Sequence, residues 1–352
     1  MNLEDKLKAY LGQITPPNAA VASVAAQREL DLAKPRGSLG RLEELAVQLA
    51  SVQNTLRPRS ESKLIVVCAA DHGVVAEGVS PYPADVTRQQ IENFQEGGGA
   101  ITTLGKTVGA RVLLFDVGVN YTFKPHPNRI DAKIAMGTKN IAQGPAMTRQ
   151  QALQSVLAGL ELVLAQPPVD IVAAGEMGIG NTTPSSAIVS IYTGLSPEEA
   201  TGVGSGISPS QLAHKASVVS KALAINKPDP ADPIDVLAKV GGLEIGAMTG
   251  VYLGAVVRKA AVVIDGFIGA AAALIAEKLS PGFSKNLIAG HRSKERAHQA
   301  ALDSLGLVPI LDLGMWLGEG SGAAVAMGLL DCVVNHYNLM RTLAEAGVND
   351  TV

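Results

Sequence analysis

The sequence predicts an α/β protein, a Rossmann-like parallel sheet flanked by helices with a small helical domain built from both chain ends, and three observations lead there. Beyond residue 62 short apolar runs alternate with helical stretches, the pattern of parallel strands joined by crossover helices. Before it, from residue 3 to about 53, apolar residues recur three and four apart and no strand-like run intervenes. From residue 321 to about 345 a last helical stretch, very apolar at first and amphipathic later, can run back to the N-terminal helices. The expected division is residues 1–58 plus about 330–352 for the small domain and 59–329 for the large one.

In chain order, the turn LAKPRGSLGRLEEL carries Pro35 and Gly37, with Ser38 placed to cap the helix whose apolar stripe is Leu39, Leu42, Leu45, Ala46 and Leu49. Strands are expected near residues 64–70, 112–117, 170–174, 260–264, 286–289 and 308–313. The stretch 247–261, rich in Gly and Ala, reads as a helix that needs close neighbours, from its own core or from a second subunit. Several strands end alike: Asp71-His72-Gly73, Asp116-Val117-Gly118, Asp265-Gly266 and Asp312-Leu313-Gly314. In open parallel sheets the ligand crevice lies outside the carboxyl ends of the strands, so these positions either share one site or simply terminate strands.

Composition narrows the function. A chain of 352 residues with 47% hydrophobic content can bury a large core and a satellite domain. Only 17% of residues are charged and the net charge is −3, which offers no footprint for nucleic acid or an acidic membrane surface. Cys68 and Cys332 sit in apolar runs and read as buried thiols. Neither CxxC nor HExxH spacing occurs, so no protein-held metal is expected. The apolar stretches fall short of the roughly 20 residues a membrane helix needs, and the polar, amphipathic N-terminus points to a cytoplasmic protein.

Two segments carry the chemistry. In LDLGMWLGEGSGAA, residues 311–324, Glu319 stands among glycines between an apolar stretch and a helix start, placed either as a general base or as a helix cap. The arrangement recurs in DIVAAGEMGIGNTTPSS, residues 170–186, where Glu176 precedes Asn181, Thr182, Thr183 and Pro184, which resemble a helix cap with Pro in the first turn. GVGSGISPSQLAHK, residues 202–215, can wrap a phosphate with Lys215 as counter-charge, or form a plain surface loop. After the first strand, Tyr82 and Gln90 can line a pocket for a flat heteroaromatic ring, while His72 reads first as a hydrogen-bonded structural residue. The lack of a GxSxG elbow argues against an α/β-hydrolase.

Six blocks appear in order across nearly the whole chain: KPRGSLGRLE (34–43), ADHGV (70–74), GEMGIGNTTPSSA (175–187), KVGGLEIGAMTG (239–250), IDGF (264–267) and LGEGSGAA (317–324). Through them the chain resembles the nicotinate-nucleotide:dimethylbenzimidazole phosphoribosyltransferases, the CobT family of cobamide biosynthesis. The resemblance implies a homodimer that transfers 5-phosphoribose from nicotinate mononucleotide to 5,6-dimethylbenzimidazole or a related base. The products are α-ribazole 5′-phosphate and nicotinate, for the lower ligand of cobalamin. It places the catalytic base at Glu319 and an electrostatic partner at Glu176. Nucleotide and phosphate binding falls to Gly178, Asn181, Thr182, Gly202, Gly204, Lys215, Ser293, Gly320 and Gly322, and the base pocket to Tyr82, Gln90, Met177 and Leu317. Tyr82 stands where some members have Ser, which leaves the range of accepted bases open. No cofactor is implied. Alternatives using the same crevice are a nucleoside phosphorylase, a nucleotide hydrolase or a silent nucleotide-binding protein.

Overall fold

Residues 63–70, KLIVVCAA, are buried throughout, as a central strand covered by helices on both faces must be. This strand, β1 (Lys63–Ala70), is joined by β2 (Ala110–Gly118), β3 (Arg129–Asp131), β4 (Ile171–Met177), β5 (Ala261–Ile264) and β6 (Leu287–Ala289). The computed structural model, which describes residues 1–204 and 206–349, orders them β3-β2-β1-β4-β5-β6, all parallel. The fold class is therefore the α/β parallel sheet that the sequence predicts.

Alternation along β1 divides the interior into two cores. Leu64, Val66, Cys68 and Ala70 join the core under helices Arg149–Leu164, Leu243–Val257 and Phe267–Leu279. Ile65, Val67 and Ala69 face the other, under Ala19–Asp31, Arg41–Val52, Ala100–Thr107 and Ser321–Leu339. The two chain ends meet on that second face. Ala33 donates its amide to Arg341 O at 2.9 Å, Arg28 reaches Tyr337 O at 3.1 Å, and His336 bonds Glu29 at 2.9 Å. The first helix, Leu3–Leu11, crosses to the opposite face, where Leu7 is buried and Glu4 pairs with Arg149 at 2.8 Å.

Four local expectations change. Residues 308–313 form no strand: Leu311 makes one isolated parallel bridge with His291, and the ladder stops between Pro309 and the Asp312-Leu313-Gly314 turn with Val308 and Leu313 exposed. The edge strand β3 is three residues long, too short to register as an apolar run, and Arg129 braces it by pairing with Asp131 at 2.6 Å. Ser38 does not cap the next helix. That helix starts after Gly40, which has φ +52, and the Leu39 amide is taken by Glu43 at 3.0 Å. Cys68 is buried but Cys332 is exposed, on the solvent side of Ser321–Leu339. Among the described residues no helix is long and apolar enough to cross a membrane.

The Gly- and Ala-rich helix Leu243–Val257 finds its close neighbour inside its own core. A Cβ on Gly250 would overlap the carbonyl of Val156, and one on Gly159 would overlap that of Ala247, so the two helices meet backbone to backbone. Glycine here sets the interaxial distance. Gly250→Ala is predicted to destabilise the fold by about 1–3 kcal/mol, the range for overpacking a close-packed interior. Urea unfolding with an unchanged midpoint would show that the interface yields freely.

Candidate active site

In this strand order the direction of winding reverses between β1 and β4, and the crevice outside their carboxyl ends is where such sheets bind ligands. A cleft of about 380 Å³ opens there. Glu176 lies in β4 beside Cys68 of β1. The preceding residue, Gly175, leaves bare the opposite face of the strand, and the backbone of Glu319 and Gly320 lies directly on it; any Cβ would overlap the Glu319 carbonyl. The two glutamate-glycine segments thus become one structure. Glu319 N–H donates to Glu176 Oε1 at 3.3 Å, and the left-handed backbone of Gly318 favours glycine, with Glu176 Oε1 standing where a Cβ would lie.

Gly318, Glu319 and Gly320 all have left-handed backbone, with φ of +88°, +64° and +90°. For glutamate this conformation costs about 1–2 kcal/mol and persists only where the surroundings enforce it. The turn throws the Glu319 side chain away from its own helix, Ser321–Leu339, and onto the N-terminus of Ala100–Thr107, where Ile101 N–H donates to Oε2 at 3.2 Å. Burial pushes the Glu319 carboxyl above the usual carboxylate range, although the amides of Ile101 and Ala100 oppose the shift. Glu319 therefore caps a helix and also faces the cleft.

Glu176 is more deeply enclosed. Burial pushes it up to about 8, against hydrogen bonds from Asn181 and the Glu319 amide and with Glu244 and Asp265 adding to the rise. At neutral pH it holds a proton. Asn181 precedes the helix Thr182–Thr193 without capping it; its side-chain amide donates to Glu176 Oε2 instead.

Lys215 reaches into the same cleft from helix Pro209–Asn226 with only 1% exposure. Its ammonium donates to Thr182 Oγ1 at 2.7 Å and to Gly202 O at 3.3 Å. Burial lowers its pKa to about 8, with Glu295 opposing. Gly178, Asn181, Thr182, Gly204 and Ser293 share the cleft wall with Lys215, and Tyr82, Gln90, Met177 and Leu317 line it as well. Tyr82 and Leu317 stand half-exposed at the rim.

Three sequence-predicted positions stand behind the wall. Gly202 offers its carbonyl to Lys215. Gly320 N–H donates to Asp265 Oδ2 at 3.2 Å and Ala323 N–H to Asp265 Oδ1 at 2.9 Å, while Gly322 also directs its amide to that carboxylate. The anion site at this helix N-terminus is thus filled by the protein's own Asp265. Of the four strand-end aspartates only Asp265 reaches the cleft: Asp71 binds the Asn120 amide at 2.7 Å, Asp116 binds the Val119 amide at 2.9 Å, and Asp312 is exposed. His72 lies beneath the Gly178–Gly180 turn, 2.7 Å from Glu244 with both side chains buried. Burial opposes its charge, but the Glu244 carboxylate outweighs that and holds its pKa above the usual imidazole value.

Sequence reasoning missed Glu295, His291, Trp316, Ile268 and Gly269. The first two follow β6, a three-residue strand whose end carries no Asp-Gly signal. Among the described residues no group of three or more His, Cys, Asp or Glu is placed to hold a metal ion.

A buried lysine held by Thr182 and a pair of glutamates, lining one cleft at a switch point where such sheets bind nucleotides, describe a group-transfer enzyme acting on a nucleotide. A family model described as phosphoribosyltransferase matches residues 14–348. The nicotinate-nucleotide–dimethylbenzimidazole phosphoribosyltransferase of Desulforudis audaxviator is 49% identical over 347 residues, covering 98% of each chain. The enzyme of the same name from a Roseiflexus species is 48% identical over 98% of this chain and 99% of its own. A crystal structure titled as CobT of Thermus thermophilus superposes with a TM-score of 0.90 at 43% identity, over 94% of this chain and 99% of its own. The chain belongs to the nicotinate-nucleotide–dimethylbenzimidazole phosphoribosyltransferase family, and is an enzyme of that class.

The buried, protonated state of Glu176 has a stability consequence. Its folded pKa of about 8 exceeds the ordinary 4.5, so its contribution is fully present below about 4.5 and is lost as pH rises through about 8. Glu176→Gln carries no such loss. Its stability relative to the parent enzyme is predicted to grow across that window and level off above it, as read by urea unfolding. A difference independent of pH would mean that Glu176 is ionised throughout.

Proposed function

We propose that the cleft transfers 5-phosphoribose from nicotinate mononucleotide to 5,6-dimethylbenzimidazole or a related base, giving α-ribazole 5′-phosphate and nicotinate for the lower ligand of cobalamin. The observation that carries this reading is that Glu319, buried yet facing the cleft and paired with Glu176, shares that cleft with the Lys215–Thr182 corner.

The reaction asks for little acid–base machinery. The leaving group is already a pyridinium, so the C1′–N bond breaks without a general acid. The incoming azole must lose its N–H proton as it bonds to C1′, and Glu319 accepts it; a carboxyl raised above its usual range is better matched to that task near neutral pH. The donor's pyridinium brings positive charge to the cleft on binding, which favours the ionised form of Glu176; its proton passes to solvent at that stage, and the carboxylate then stabilises the cationic charge that develops on the ribose. The donor carries no diphosphate leaving group, so no divalent cation is required. Attack opposite the departing nicotinate inverts the anomeric centre.

Lys215, Thr182 and the Gly204 loop hold the 5′-phosphate, with Ser293 alongside; Met177, Gln90, Tyr82 and Leu317 receive the base. Residues 1–58 with about 330–352 act as the small domain, and two copies assemble so that the exposed rim around Tyr82, Trp316 and Leu317 is covered. A nucleoside phosphorylase or hydrolase would have phosphate or water in place of the azole, and product analysis with and without an azole separates these reactions from the transfer.

Glu319→Gln tests the base directly. It is predicted to slow turnover by roughly 10²-fold while nicotinate mononucleotide binds within about twofold of normal, the usual size of a lost general base. Near-normal turnover with the parent pH profile would reduce Glu319 to a cap of Ala100–Thr107.

A further inference from the structure

Glu295 is a buried carboxylate on the cleft wall to which the proposed reaction gives no task. The loop after β6 fixes its backbone: its amide donates to Ser293 Oγ at 3.3 Å and its carbonyl accepts from His298 N at 3.0 Å. Gly202 makes room for the side chain, since a Cβ there would overlap Glu295 Oε2. Both carboxylate oxygens are buried without a well-formed hydrogen bond, although the Gly204 amide leans toward them. A buried carboxylate left in this state is costly unless something arrives to satisfy it.

The charges facing it are few. Lys215, from helix Pro209–Asn226, attracts it across the corner while directing its own hydrogen bonds to Thr182 and Gly202. His298 accepts the Ser293 amide on Nδ1 at 2.8 Å and is held neutral by burial, its pKa near 3. His291 lines the wall beside it, next to Asp265 at 3.6 Å. Arg296 turns outward to the carbonyl of Glu198 and Arg292 outward to Asp312. The corner therefore pairs one ammonium with one carboxylate. A 5′-phosphate dianion placed at Lys215 would set three negative charges against a single positive one, in a site largely shielded from water.

We propose that binding of the donor's 5′-phosphate is coupled to uptake of one proton from solvent by Glu295, whose carboxyl O–H then donates a hydrogen bond to a phosphate oxygen. The inference rests on the reading that the Lys215 corner takes the phosphate. Glu295 thereby makes the phosphate's share of the affinity fall as pH rises. Burial already pushes this carboxyl upward, with Lys215 opposing, so a second anion nearby favours its neutral form further.

The test compares nicotinate mononucleotide with nicotinate riboside, which lacks the phosphate, by calorimetric titration between about pH 6.5 and 7.5. In this window Lys215 keeps most of its charge and the free phosphate is mostly a dianion. Proton effects at Glu176 are common to both ligands and cancel in the ratio of their dissociation constants. In the parent enzyme that ratio, the gain due to the phosphate, is expected to fall close to tenfold per pH unit, the slope for one proton. In Glu295→Gln, and likewise in Glu295→Ala, it is expected to change less than about twofold. A flat ratio in the parent enzyme, or the parent's slope retained in both variants, overturns the inference. Lys215→Ala separates the two claims: if it leaves the phosphate's gain intact, the phosphate lies elsewhere and the underlying reading fails.

Discussion

The seating of the Gly318–Glu319–Gly320 turn on the bare surface of Gly175 is the constraint from which the site is built. It joins the end of β4 to a segment more than a hundred residues later, and it works only because no Cβ projects from the strand at that point. The turn's left-handed backbone is held from two sides, by Glu176 accepting the Glu319 amide and by Asp265 accepting the amides of Gly320 and Ala323. The strain in the turn is thus balanced by buried hydrogen bonds, from the Glu319 amide to the Glu176 carboxyl and from the Gly320 and Ala323 amides to Asp265. Its result is that Glu319 points across to Ala100–Thr107 and is presented to the cleft.

The electrostatics follow from the same geometry. Glu176, Asp265 and Glu319 line the crevice with Glu244 buried behind it, and Glu244 and Asp265 raise the pKa of Glu176 while Asp265 raises that of Glu319. The fold makes the crowding tolerable by giving Asp265 the helix amides, pairing Glu244 with His72, and leaving a proton on Glu176. Under the proposed function this is a site prepared for a cation: the pyridinium of the donor and the ribose in the transition state relieve the mutual repulsion. The ammonium of Lys215 lines the same cleft, so the cleft offers partners for both the positive ring and the negative phosphate of a nucleotide.

Much of this was legible in the sequence. The repeated glutamate-glycine segments point to Glu176, Thr182 and Glu319, the glycine-rich stretch 202–215 to Lys215 and the segment after the first strand to Gln90, and these residues do share one cleft. Less legible was what each glycine does. The resemblance and the glycine-rich helix start make Gly320 and Gly322 look like phosphate-binding residues, but their amides face Asp265, and only the packing of β5 against Ser321–Leu339 reveals that. Asn181 has the chain position of a helix cap and serves as a hydrogen-bond donor to Glu176. Glu295 was invisible because its importance lies in missing partners, a property of three-dimensional burial. The edge elements failed for a simpler reason: β3 is too short for periodicity to register, and residues 308–313 are apolar without continuing the ladder.

The central claim is that one carboxylate base suffices and that the azole displaces nicotinate in a single step, with Glu176 as an electrostatic partner. Single displacement on a β-nucleotide must invert C1′, whereas a covalent ribosyl intermediate on Glu176 would retain configuration through two inversions, as paired carboxylates do in retaining sugar hydrolases. The most direct measurement is the NMR signal of the anomeric proton in the isolated riboside product. An α-riboside is the predicted result; a β-riboside would contradict the account and make Glu176 a nucleophile.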